Sequence, residues 1–300
     1  MAKTAFEDKT EKSAGLTFFS KEQIICPICN THFKREELKS GGGRLIAGDL
    51  TDELRRIYDP SAKYGEIFPL VYAVTVCPKC FYAAFPQDFS ILDKESLNVI
   101  YEKMQERYQA VTDICGPVDF TKNRGLPEGA ASYYLAMLCY ESIPVKFSPT
   151  IKRGLCALRA AWLFSDLEKK NPGENYAYVA SLFYHKALFF YHRAVELETN
   201  GREMIAGLKS FGPDLDKNYG FDGVLYLTAL LEFKYGSRSN PEKRAERISV
   251  QRRSLAKMFG LGKSSKSKPG PLLEHARNLY DNIVAELDVS GEKQEDGEDG

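Results

Sequence analysis

Two Cys-x-x-Cys pairs, Cys26-Pro-Ile-Cys29 and Cys77-Pro-Lys-Cys80, are the residues of this chain best placed to do chemistry. Four thiols on two knuckles match the ligand set of a tetrahedral four-cysteine zinc site. Each pair puts two sulfurs on one tight turn, so one ion can be gripped from both sides. A closed four-thiolate site leaves no coordination position for a substrate, and the chemistry expected is therefore structural. Two disulfides would require an oxidising compartment, and the N-terminal stretch MAKTAFEDKTEKSAG lacks the apolar region of a secretion signal. A redox pair normally stands alone at the start of a helix in a βαβ setting. Here each pair follows a β-rich run, Gln23–Ile25 before Cys26 and Leu70–Val76 before Cys77. The reading is one structural zinc per chain on Cys26, Cys29, Cys77 and Cys80. Iron on the same four thiolates, and redox or disulfide chemistry, are the alternatives.

The elements that must bring the knuckles together are less usual. Between Cys29 and Cys77 lie 47 residues, against roughly 15 to 20 in a compact ribbon. The insert opens on Gly41-Gly42-Gly43, which lacks the Lys-Ser/Thr of a phosphate loop and reads as a flexible turn. Asp49–Tyr58 reads as a short helix with acidic residues in its first turn. Pro60, Gly65 and Pro69 return the chain to a second strand.

The residues Arg44, Asp49, Leu54, Tyr58, Pro69, Tyr72, Val74 and Val76, then Cys77-Pro-Lys-Cys80, Tyr82-Ala83 and Asp88-Phe89, resemble a bacterial family catalogued as domain of unknown function 2225. The resemblance is best over 20–90 and extends more loosely to about 230. It implies paired CPxC knuckles followed by a mostly helical remainder, and it carries no activity. The family pattern favours Gly after the second knuckle, where this chain has Phe81.

The composition allows a substantial core: 300 residues, 43% hydrophobic and 12% aromatic. Lys plus Arg equals Asp plus Glu at 41 each, so no global charge advertises a nucleic-acid or membrane partner. No apolar run approaches the roughly 18 residues of a membrane span. Cys115, Cys139 and Cys156 read as reduced core thiols, and a soluble cytoplasmic protein is expected.

After Phe89 the spacing turns helical: one helix over Ser90–Val111, then a Gly/Pro-rich break from Cys115 to Gly129. About six more helices follow, near 131–143, 149–170, 174–199, 216–236, 241–259 and 270–287. Helix, short turn, helix is the grammar of bundles and helical repeats. Ala187–Asn200, with Tyr191 and Ala194, looks like the second helix of a tetratricopeptide repeat. Ala157, Ala161 and Phe164 echo it one hairpin earlier. The fold class expected is α+β, mostly α. A flexible N-terminus (1–19) precedes a zinc-ribbon-like domain with a helical insert and trailing helix (20–115). A helical-hairpin domain (116–287) carries a mobile basic loop (260–271), and 288–300 is a disordered acidic tail.

Other constellations are weak. His185 and His192 share a helix face without a third ligand, and His32 follows a set already complete with four cysteines. No catalytic triad, Walker motif or dinucleotide loop is present. Residues 234–268 carry eleven Lys or Arg against Glu242 and Glu246. The acidic tail could fold back over that segment. The leading reading is a zinc-binding interaction or scaffold protein with a protein partner. A nucleic-acid-associated protein using the ribbon and 234–268, and an enzyme with an unrecognised cleft, are the alternatives.

Overall fold

The computed structural model describes residues 15–39, 41–205, 208, 210, 212–259 and 269–298, with side chains on the last helix described as far as Val289. The N-terminal part is built from short antiparallel pairs. β1 (Thr17–Phe19) pairs with β4 (Glu36–Leu38), and nested inside them β2 (Ile24–Ile25) pairs with β3 (His32–Phe33). β5 (Ile46–Leu50) pairs with β6 (Arg56–Asp59), and β7 (Thr75–Val76) with β8 (Ala83–Ala84). The helices follow: α1 (Lys94–Glu102), α2 (Met104–Cys115), α3 (Leu126–Tyr140), α4 (Pro149–Lys170), α5 (Tyr176–Thr199), α6 (Gly220–Tyr235), α7 (Pro241–Phe259) and α8 (Gly270–Glu298). None is long and apolar enough to cross a membrane.

The chain is α+β and mostly α, as the periodicity predicts, but the insert differs. Asp49–Tyr58 is not a helix; it forms most of the β5–β6 hairpin. Its tip is a tight turn, with the Leu54 amide donating to the Thr51 carbonyl (2.9 Å) and the Thr51 amide to that of Arg55 (2.9 Å). Glu53 and Leu54 are buried among the helices, and burial of that tip outweighs a weak local helix preference. Leu70–Val76 is likewise not one strand. Pro69–Tyr72 is a 3-10 turn and only Thr75–Val76 is extended. A wholly buried apolar run has no alternation to separate strand from other buried backbone.

The helix expected over 90–111 is two. Asp93 caps α1 by accepting the Ser96 amide (2.9 Å), the helix breaks at Lys103, and α2 runs on to Cys115. Thr17–Phe19, expected within a flexible N-terminus, pair with β4. The backbone of α8 continues to Glu298, past the end expected at 287. Residues 1–14 and most of the basic loop, 260–268, lie outside the described residues.

α4 and α5 pack along each other. A Cβ on Gly154 would sit 3.0 Å from the Tyr191 ring, so the helices approach where α4 lacks a side chain. Ala157 and Ala161 are fully buried beside it. The core does not divide at 116–129: α3 closes directly on the N-terminal part. A Cβ on Gly129 would lie 2.8 Å from Val71 Cγ2, Tyr133 donates its hydroxyl to the Leu70 carbonyl (2.9 Å), and the Phe85 amide donates to the Tyr140 hydroxyl (3.0 Å). A buried ion pair, Lys152 to Asp88 at 2.7 Å, joins α4 to the turn after β8.

Candidate metal centre

Each knuckle is a β-hairpin whose turn carries two cysteines, and the two are built alike. In the first, the Cys26 amide donates to the Thr31 carbonyl (3.0 Å) and the Asn30 amide to the Cys26 carbonyl (2.9 Å). In the second, the Cys77 amide donates to the Tyr82 carbonyl (2.9 Å) and the Phe81 amide to the Cys77 carbonyl (3.0 Å). The residue after each pair lies in the left-handed region, Asn30 at φ 56° and Phe81 at φ 57°. Phe81 therefore adopts the conformation that the family pattern assigns to Gly. Its ring packs against Tyr108 of α2 (centroids 5.0 Å) and Phe120 (6.1 Å), contacts that hold a strained backbone in place.

The hairpins face each other and bring the four sulfurs within 4.8 Å of one another. Across the interface, Cys26 Sγ lies 3.5 Å from Cys80 Sγ and Cys29 Sγ lies 3.6 Å from Cys77 Sγ. A disulfide needs about 2.05 Å, and none is formed. A tetrahedron with Zn–S bonds of about 2.3 Å has edges of roughly 3.8 Å, close to these separations. Cys26, Cys77 and Cys80 are fully buried, while Cys29 is half-buried and donates to the Thr31 hydroxyl (3.2 Å). The sequence-predicted ligand residues are thus brought together as a set. His32 is exposed on β3 and is not part of it. His185 bonds the Ser181 carbonyl (2.8 Å) and His192 bonds Glu232 (3.0 Å), so they are not brought together as ligands.

The electrostatics suit a cation. Hydrogen bonds from Cys26 and Cys80 pull the Cys77 thiol well down from its usual value, aided by the backbone amides of Lys79 and Cys80. The cost falls on its neighbours. The hydrogen bond to Cys77 is the main cause raising Cys26, and Cys80 is raised by its bonds to Cys26 and Cys77. Four thiols this close oppose one another's ionisation, and a bound cation would offset that charge.

With this geometry in hand, comparison with known proteins places the chain. Residues 19–283 match the family described as "Uncharacterized protein conserved in bacteria (DUF2225)". The chain belongs to that family. An "Uncharacterized protein" of Borreliella burgdorferi (strain ATCC 35210 / DSM 4680 / CIP 102532 / B31) is 43% identical over 272 residues, covering 91% of this chain and 98% of the relative. No solved structure matches the chain. The match extends the family well beyond the 20–90 segment that carries the resemblance best, into α8.

Sequence reasoning missed a second convergence of polar groups. Glu53, at the insert tip, accepts from the Trp162 indole N–H, the Tyr184 hydroxyl (3.1 Å) and Lys234 Nζ (3.1 Å), joining the insert to α4, α5 and α6. Beside it a cleft of about 270 Å³ is lined by Arg55, Tyr58, Phe68, Asp166, Lys170 and Asp214. Its charges are answered internally: Arg55 pairs with Asp166, Lys170 with Glu66, and Asp214 accepts the Arg56 amide at 2.8 Å. No local pattern in Asp52-Glu53-Leu54-Arg55 separates such a buried plug from a solvated polar run.

Proposed function

We propose that Cys26, Cys29, Cys77 and Cys80 hold one structural zinc ion, and that the chain is an interaction or scaffold protein whose helical part presents a surface to a protein partner. The observation carrying the metal half is the closed set of four sulfurs with cross-knuckle separations near those of a zinc tetrahedron. With all four positions taken by sulfur, the ion fastens two hairpins and does no chemistry on a substrate.

The partner half rests on α5. Tyr178 (65% exposed), Leu182 (41%) and Phe189 (63%) form an apolar stripe on a helix whose opposite face is core. They recur at helical spacing with exposed His185 and Lys186 beside them. The occupant that fits is an acidic amphipathic helix of another protein, laying apolar residues on the stripe and carboxylates beside His185 and Lys186. The nucleic-acid reading is weakened by the basic segment. Lys234 pairs with Asp52 (2.8 Å), Arg244 with Glu286 (2.8 Å) and Arg247 with Glu232 (2.8 Å), leaving fewer cations for phosphate. The cleft beside Glu53 does not raise the enzyme reading, because its charged side chains already have partners.

Elemental analysis of purified, reduced protein tests the metal half. One zinc per chain is expected; iron would replace zinc in the reading, and no stoichiometric metal would end it. Replacing Phe189 with a photo-crosslinking residue tests the partner half. A discrete adduct, absent when the crosslinker replaces the exposed Glu102 of α1, is expected. An adduct of twice the chain mass would instead identify a second copy as the occupant.

A further inference from the structure

The charge around the metal centre points to a residue outside the ligand set. Five cationic side chains are buried among the described residues: Arg107, Arg124, Lys152, Arg159 and Arg244. Two are ion-paired with carboxylates and two more have one nearby. Lys152 pairs with Asp88 and Arg244 with Glu286. Burial lowers Arg124 and the nearby Glu36 partly offsets it, while burial raises Asp214 and the nearby Arg159 partly offsets that. Arg107, only 4% exposed on α2, is the exception. Its guanidinium donates to two backbone carbonyls, from Nη1 to Ile100 and from Nη2 to Cys80 (3.2 Å), and its Nε has no partner. It lies near the Cys139 thiol, which burial pushes up. Among the described residues Arg107 has no carboxylate within ion-pair distance, and a buried cation without one is costly.

We infer that Arg107 is the countercharge of the metal centre. This rests on the proposed metal site: four thiolates around one divalent ion carry a net charge of −2. Three of the four sulfurs are fully buried, so water does little to disperse that charge. Arg107 sits behind the second knuckle, bonded to the carbonyl of the ligand residue Cys80 itself. Lys79, the cation within that knuckle, is exposed and screened. Arg107 is a positioning residue: it touches no metal, and it lowers the cost of assembling the four thiolates.

The test uses the full-length protein. R107K keeps the charge and loses the planar fork, while R107Q keeps donors for the carbonyls and loses the charge. Zinc affinity is read by chelator competition, and thermal unfolding is followed with and without metal. R107Q is expected to bind zinc at least tenfold more weakly than wild type and to melt lower when loaded. Its metal-free form should melt at or above metal-free wild type, because a lone buried charge has been removed. R107K should retain affinity within a few-fold. Equal loss of affinity in both variants, or loss in neither, would reduce Arg107 to a fastener of α1 and the knuckle and overturn the inference. Should R107Q fail to fold without metal, the affinities of R107K and the R107M variant decide by the same comparison. Wild-type protein holding no stoichiometric metal would instead remove the metal site itself, a result read before any variant is made.

Discussion

Asn30 and Phe81 hold the same left-handed backbone at equivalent points of the two knuckles, and a glycine at each should have opposite effects. Asn30 is exposed, so Asn30→Gly relieves a mild strain and loses little: a gain of up to about 0.5 kcal/mol. Phe81→Gly relieves about 1 kcal/mol or more but loses ring contacts with Tyr108 and Phe120, and a net loss of about 1–2 kcal/mol is expected. Chemical denaturation of the metal-loaded protein checks both; equal signs would mean that the Phe81 ring contributes no packing. The clustering of the four cysteines was legible because metal chemistry fixes residue type and spacing within a short segment. Phe81's role was not, because its partners lie 27 and 39 residues further along the chain, and no local rule foretells them.

Among the elements, the helices from α3 onward were legible because apolar periodicity and Pro/Gly punctuation reinforce each other, as at Pro149 and Asn171-Pro172-Gly173. The insert was not. Its hairpin is held by long-range burial of Leu54 and by Glu53, whose partners are drawn from α4, α5 and α6. Glu53→Ala leaves the Trp162, Tyr184 and Lys234 donors facing an empty site, and a loss of about 3–5 kcal/mol is expected by denaturant titration. A loss under about 1 kcal/mol would mean that the tip is not latched. Between α6, α7 and α8 the stability is pH-dependent. Burial raises Glu232, but hydrogen bonds from His192 and Arg247 outweigh it and leave its carboxyl below the usual 4.5; Arg244 likewise lowers Glu286. A folded-state pKa below the unfolded one gives stability that is present above about 4.5 and lost as pH falls through the lowered values. Glu232→Gln should therefore flatten the acid limb of the stability profile; an unchanged limb would assign acid unfolding to other carboxylates.

At the scale of the whole molecule, the Gly/Pro stretch at 116–129 suggests two units, yet Val71, Tyr82, Ala130, Tyr133 and Leu163 belong to one apolar core. Composition shows where a chain bends and not whether the parts on either side share a core. Breaking the proposed metal site by Cys77→Ser should thus lower the stability of the helical part as well. A single transition in circular dichroism, shifted down by about 10 °C or more, is the outcome expected for a loss of several kcal/mol. Two separated transitions, with most helical signal surviving the first, would restore the two-unit division that the sequence suggests.

Trp162 is the single tryptophan of the chain, and its indole N–H rests on Glu53. Its ultraviolet emission is therefore the readout of one latch, free of background from any other indole. Where dichroism averages over every helix, this fluorophore reports whether the insert is seated against α4. A red-shifted spectrum at unchanged helicity would reveal an open form of the insert, and its amplitude on adding chelator would measure how firmly the knuckles hold the hairpin that joins them.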